Sequence, residues 1–116
     1  MVKERDIGTL CDSAINNVSR FIRAQQSEGP FVVTGYDQDE WVRAQQYQQA
    51  SLEEVASLWV SLNRSVLRVV SRLPEGKETQ ACLLPDGKQV TLAWLIKDYV
   101  AHMEHHLAQI FAEPLL

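Results

Sequence analysis

The sequence predicts an all-α protein, a helical bundle made of three long helices, a short connecting helix and a possible short hairpin. In three long segments, apolar residues recur at spacings of three and four, which is the pattern of an amphipathic helix. Stretches rich in glycine and proline separate these segments and indicate where helices end. The length of 116 residues fits a single domain spanning the whole chain, residues 1–116.

The first long helix is predicted from about Ile7 to Gln26. Its apolar stripe consists of Ile7, Leu10, Cys11, Ala14, Val18, Phe21 and Ile22. The stretch SEGP then stops the helix, because proline lacks the backbone N–H of the helical ladder and glycine has a low helix propensity. Residues 31–33 can be extended, and Asp37 can cap a short helix. That connecting segment carries Trp41, Val42 and Tyr47.

The second long helix has the clearest start. Ser51 and Glu54 form a capping box, in which each side chain satisfies an otherwise unpaired backbone N–H. Its apolar seam consists of Leu52, Val55, Trp59, Leu62, Val66, Val69 and Leu73. We expect Trp59 and Leu62 to lie at the centre of the bundle. Pro74 and Gly76 end the helix.

The last third of the chain predicts a turn and then a third long helix. Residues 85–87 read Pro-Asp-Gly, a turn signal whose flanks can pair as a short hairpin. Thr91 can cap the helix that follows. The inward stripe of that helix is expected to consist of Leu92, Leu95, Tyr99, His102, His106 and Ile110.

Composition and charge exclude several classes of protein. The formal net charge of −4 argues against nucleic-acid binding, which leaves a basic footprint. No apolar run approaches the roughly 18 residues of a membrane span, and the charged start does not resemble a signal peptide. The two cysteines, Cys11 and Cys82, are far apart in the sequence. We therefore expect no disulfide framework and a cytoplasmic location.

All three histidines of the chain lie within five residues of the last helix. His102 and His106 are four residues apart, so they are neighbours on one helix face, and two imidazoles so placed can chelate a metal ion. His105 lies to one side and is a poorer candidate. Asp98, one turn earlier, can accept a ring N–H and orient His102. The alternative is that these histidines lie at a wet end of the bundle and bind water.

Three segments of the chain carry a resemblance to a known family. They read DYVAHMEHHLAQI, GYDQDEWVRAQQYQ and GTLCDSAINNVSRFIRAQ. Together they resemble the DinB-like or YfiT-like superfamily of metal-dependent proteins. The resemblance covers nearly the whole chain. It implies an up-and-down four-helix bundle, often dimeric, in a bacterial protein. It also implies a divalent-metal site of three histidines. Some members of the superfamily are thiol-dependent transferases or isomerases that use small thiols.

Two of the three implied metal ligands fall on His102 and His106 of this sequence. The third position falls on Thr9, whose hydroxyl is a poor ligand for zinc or nickel. Asp12 or Asp6 can in principle replace the missing histidine, since carboxylates also bind zinc. The other reading of these acids is that they belong to a solvated helix face. The resemblance thus implies an incomplete site.

The resemblance also implies a further helix ahead of Ile7, where this chain has only a handful of residues. Three long amphipathic helices leave an apolar groove open. We expect a homodimer to complete the bundle, with each chain covering the groove of the other. The rival expectation is that the segment 37–47 folds into the groove and leaves a monomer.

These observations lead to two hypotheses about function. The first is a non-enzymatic or degenerate DinB-like protein that binds zinc or nickel weakly. The second is a divalent-metal-dependent enzyme, a thiol-dependent transferase whose site is completed by a carboxylate or across a dimer. In the second case His102 and His106 hold the metal, with Asp98 and Asp12 as supporting carboxylates, and the substrate is a small thiol or another small molecule.

Overall fold

A computed structural model describes residues 2–112, so both ends of the predicted 1–116 domain lie outside the described residues. The helices are α1 (Val2–Ala24), α2 (Gln38–Gln45), α3 (Leu52–Ser71) and α4 (Leu92–Ala112). The strands are β1 (Phe31–Val32), β2 (Ala81–Leu83) and β3 (Gln89–Thr91). Single 3-10 turns, Tyr47–Gln49 and Lys77–Thr79, precede α3 and β2. The prediction of a helical bundle with three long helices and a short one is confirmed.

Side chains cap three of the helices at the residues that the sequence indicates. Asp37, Ser51 and Thr91 each accept a hydrogen bond of 3.1 Å from the backbone N–H three residues further on. Such a cap satisfies one of the four N–H groups that the first turn of a helix leaves unpaired. The starts of α2, α3 and α4 are therefore determined by local chemistry.

The three short strands form one sheet at the end of the bundle. The predicted hairpin is confirmed, because β2 and β3 pair antiparallel around a turn at Gly87, whose φ of 89° suits glycine. Strand β1 adds to the other edge of β2 in parallel, with Phe31 opposite Cys82. This parallel pairing joins the segment after α1 to the segment after α3, and the sequence did not predict it.

The directions of the helices follow from these contacts. Cys11 Sγ lies 3.6 Å from the carbonyl oxygen of Val55, which brings the first half of α1 beside the start of α3. Both helices also end next to the sheet, so α1 and α3 run parallel and the segment 25–51 returns the chain between them. Helix α4 runs antiparallel to α1, because the ring of Phe21 contacts Tyr99 and Lys3 donates to the carbonyl of Ile110. A strictly up-and-down order would instead place consecutive long helices antiparallel.

Helix α1 is the central helix and contacts all three others. The completely buried side chains that form the middle of the core are Cys11, Ala14, Phe21, Ala24, Cys82 and Leu92. Trp59 and Leu62 are only half-buried, so their prediction as the centre of the bundle is wrong. The reason is that α3 lies on one side of α1, whereas the bundle is centred on α1 itself. Both cysteines are buried and free.

None of the helices in the described part of the chain is long and apolar enough to cross a membrane.

Candidate functional site

A cavity of about 230 Å³ lies between α1, α4 and the segment that precedes α2. Helix α1 contributes polar residues one turn apart, namely Thr9, Ser13, Asn17 and Arg20. Helix α4 contributes Asp98, His102 and His106 from the opposite wall. The antiparallel packing of the two helices brings together residues about ninety positions apart. The structure thus collects in one cavity both predicted histidines, the position of the third ligand, and Asp98.

His102 and His106 are neighbours, as their spacing predicts, with ring centroids 6.2 Å apart. His102 is nevertheless exposed and His106 half-buried, so the expectation that both point into the bundle is wrong for His102. A straight helix rotates by about 20° per heptad relative to an exact seven-residue repeat. The line through Leu95 and His102 therefore turns away from the core, whereas Met103 and Ile110 turn towards it. His105 is exposed and does not line the cavity.

Thr9 lies at the position where the resemblance implies a third ligand. Its hydroxyl donates a hydrogen bond of 3.0 Å to the carbonyl oxygen of Arg5, within its own helix. Thr9 and His106 also line an adjacent cavity of about 450 Å³, and Asp6 is in the wall of that second cavity. Among the described carboxylates of α1, Asp6 shares a cavity with His106.

The two predicted supporting carboxylates have different surroundings. Asp98 lines the cavity beside His102, but no hydrogen bond links the two side chains in the part of the chain described. Asp12 does not line the cavity and is completely buried. Its Oδ1 accepts hydrogen bonds from Tyr47 Oη at 2.5 Å and from Gln45 Nε2 at 3.0 Å. Asp12 thus anchors the connecting segment to α1.

Burial alters the acidity of this anchor. Desolvation raises the pKa of Asp12, while the hydrogen bonds from Tyr47 and Gln45 oppose that change. Burial and the neighbouring Asp12 also raise the pKa of Tyr47 well above its usual value. The Cys11 thiol is buried too, which raises its pKa to about 12. A thiol with that pKa is protonated near neutral pH and is therefore a poor nucleophile.

The cavity also contains two residues that the sequence did not single out as functional. Arg20 Nη2 donates to the carbonyl oxygen of Thr34 at 2.7 Å, and Nη1 lies 3.4 Å from Asn17 Oδ1. The guanidinium lies over the ring of Tyr36, 5.7 Å from its centroid. The sequence could have indicated Arg20 as a cavity residue, because Arg20 continues the polar stripe of α1. It could not have indicated Tyr36, because the position of Tyr36 depends on how the connecting segment returns across α1.

The donor set of this cavity does not fit a tight metal site. Across residues 2–112, the side chains of histidine, cysteine, aspartate and glutamate form no group of three that is placed to hold a metal ion. At the positions of the three implied ligands, the cavity offers two imidazoles and a threonine hydroxyl. Catalytic zinc sites use three protein ligands that carry nitrogen, sulfur or carboxylate donors.

No family model and no curated protein matches the chain. The solved structure of YfiT from Bacillus subtilis superposes on it with a TM-score of 0.81 and 24% sequence identity. The chain has the YfiT fold. That structure is described as a probable metal-dependent hydrolase with an unusual four-helix bundle topology. The match covers 94% of this chain and 62% of the YfiT chain, so the protein spans less than two thirds of that relative. The helical-bundle fold implied by the sequence resemblance is confirmed. Its strictly up-and-down order is not, because α1 and α3 run parallel.

Proposed function

We propose that this protein is a small-molecule-binding domain with the YfiT fold and a metal site reduced to two histidines. The observation that carries the proposal is the cavity in which Thr9 lies with His102 and His106. In this degenerate form the fold and the cavity are kept, and the chain does not act as a metal-dependent enzyme by itself.

The chemistry of the three side chains supports this proposal. The Thr9 hydroxyl is neutral near pH 7 and already donates to the carbonyl of Arg5. Two imidazoles offer only half of a tetrahedral coordination shell. We therefore expect zinc or nickel to bind weakly and to exchange readily with solvent.

Restoring the third histidine tests the proposal. Isothermal titration calorimetry with Zn²⁺ and Ni²⁺ on the untagged protein should show weak binding, and Thr9→His should raise the affinity by orders of magnitude. The gain should disappear in the double variant Thr9→His/His106→Gln, which keeps the new histidine and removes its partner. Ser13→His controls for a histidine added one turn away on the same wall. Stoichiometric, chelator-resistant metal in the unaltered protein would overturn the proposal.

A second candidate function rests on Asp6. Asp6, Thr9 and His106 line one cavity, so Asp6 is the carboxylate that would complete the metal site. The protein is then a divalent-metal-dependent enzyme, either a hydrolase, as YfiT is described, or a thiol-dependent transferase that takes a small thiol. Asp6→Asn should abolish tight metal binding in that case, whereas Asp12→Asn should not. A content of one metal per two chains would instead indicate a site completed across a dimer.

A further inference from the structure

We infer that the cavity binds a small organic carboxylate, with the Arg20 guanidinium as the group that holds the carboxylate. The inference rests on the proposed function as a small-molecule-binding domain and adds the chemical class of the ligand. It does not depend on whether the histidines hold a metal.

Arg20 has hydrogen-bonding capacity that the protein does not use. A guanidinium carries five N–H donors, and the structure shows two of them in hydrogen bonds, to Thr34 and to Asn17. Those two contacts hold the planar group in one orientation. No carboxylate within the described range 2–112 forms an ion pair with Arg20. A half-buried guanidinium with free donors and no anionic partner is suited to a carboxylate ligand.

The position of Arg20 also favours a ligand inside the cavity. Side chains of a helix lean towards its N-terminus, so Arg20 points along the polar stripe of α1 towards Asn17 and Ser13. Tyr36 forms a wall beside the guanidinium. Burial raises the pKa of the Tyr36 hydroxyl, which also interacts with Ser13 of the same cavity.

The remaining charges favour a carboxylate over a phosphate. Asp98 lines the same cavity and its negative charge opposes any anion, most strongly one with two charges. Phosphate sites commonly use the free N–H groups of a helix N-terminus. The nearest such end is that of α2, but the Asp37 side chain caps it, and Asp39 and Glu40 follow. A single guanidinium can neutralise a ligand of one negative charge but not one of two charges.

A matched pair of probes tests the inference. Butyrate and butyramide have nearly the same shape and differ in charge, so only butyrate can pair with Arg20. In NMR titrations of the metal-free protein at constant ionic strength, millimolar butyrate should shift the Arg20 Nε–H signal and the His102 ring signals. Butyramide should bind at least about tenfold more weakly, as expected for loss of a charged hydrogen-bonded pair. Inorganic phosphate should also bind more weakly than butyrate, because Asp98 opposes its second charge most strongly.

Three variants give different expected results. Arg20→Gln should weaken butyrate binding about tenfold or more, and Arg20→Lys, which keeps the charge without the planar fork, should weaken it less. Arg23→Gln, on the same helix but stacked on Phe31 outside the cavity, should leave it unchanged. Asp98→Asn should strengthen it. The amide spectrum of each variant reports whether the fold is retained.

Several outcomes would overturn the inference. These are equal binding of butyrate and butyramide, tighter binding of phosphate, butyrate binding that survives in both Arg20 variants, or no binding at all. Because the protein is free of metal throughout, none of these outcomes bears on zinc or nickel affinity. Conversely, tight metal binding by the unaltered protein would overturn the degenerate metal site and leave the carboxylate inference standing.

Discussion

Asp12 illustrates how one buried side chain links the core to the connecting segment. It is completely buried, and its Oδ2 has no hydrogen-bond partner among the described residues. Its neighbours that titrate are Cys11, Tyr36 and Tyr47. Since burial raises the pKa of Asp12 above its model-compound value of 3.8, the folded protein holds a proton that the unfolded chain releases more readily.

This difference predicts a pH-dependent stability. The stabilisation linked to protonated Asp12 is complete below the unfolded pKa and is lost as the pH rises through the folded pKa. Asp12→Asn stays neutral, so the difference in stability between this variant and the unaltered protein should change in favour of the variant as the pH rises from about 4 towards neutrality. Urea denaturation across that range measures the effect. Asp39→Asn, at an exposed site on α2, serves as the control, and a difference that does not vary with pH would contradict the prediction.

Gly8 allows the ring of Tyr47 to lie directly on α1. A Cβ atom at Gly8 would lie 2.2 Å from Cδ2 of Tyr47, far inside van der Waals contact. Replacing glycine by alanine inside a helix normally stabilises it by roughly 0.5–1 kcal/mol. Here we expect Gly8→Ala to destabilise the protein by about 1–3 kcal/mol instead, as overpacking does.

A second background separates the two effects at Gly8. In Tyr47→Ala the ring is gone, so the same Gly8→Ala change should recover its usual stabilising sign. Thermal or urea denaturation of the four proteins forms a double-mutant cycle. Destabilisation of equal size in both backgrounds would show that contact with Tyr47 is not the cause.

At the level of single elements, the start of α4 holds the core together more than the seam of α3 does. Leu92 is completely buried between the helices and the sheet, whereas Leu62 is half-buried. Leu92→Ala should reduce the free energy of unfolding by about 2–5 kcal/mol. Leu62→Ala should cost less, and Val32→Ala, at a site 61% exposed, should change it by no more than about 0.5 kcal/mol. A larger loss for Leu62 than for Leu92 would contradict this ranking.

In the whole molecule, several large apolar side chains of α3 and α4 are exposed to solvent. Leu67 is 66% and Phe111 is 81% exposed, and Val60 and Val100 are each 40% exposed. The connecting segment does fold back, but Tyr47 covers α1 and leaves these side chains uncovered. We therefore expect a two-fold dimer that buries roughly 2,000 Å² or more in total.

Sedimentation equilibrium at micromolar concentration measures this assembly directly. A dimer should also show a melting temperature that rises with protein concentration. Leu67→Glu should dissociate it, whereas Arg68→Glu, which introduces the same side chain one residue further on and changes the charge by two units instead of one, should not. A mass of 13.2 kDa with a concentration-independent melting temperature would exclude the dimer and favour the compact monomer.

The sequence by itself determined the helices and the starts of α2, α3 and α4. Helix α1, predicted from about Ile7, begins instead at Val2. The caps at Asp37, Ser51 and Thr91 involve residues three apart, and the apolar stripes involve residues within one or two turns. Such interactions join residues that are close in the sequence and do not depend on the tertiary fold, so they can be predicted from the sequence. The placement of His102 beside His106 belongs to the same class, as does the turn at Gly87.

Only the tertiary structure decided which helix faces meet. The parallel arrangement of α1 and α3 depends on the pairing of β1 with β2, whose residues are about fifty positions apart in the sequence. That arrangement places Asp12 beneath Tyr47 rather than beside the histidines, and it brings Arg20 and Tyr36 into the cavity. The exposure of His102 likewise depends on the rotation of α4 against α1. A polar stripe along a helix reads the same in the sequence whether it faces water, a core or a ligand, because its surroundings come from distant segments.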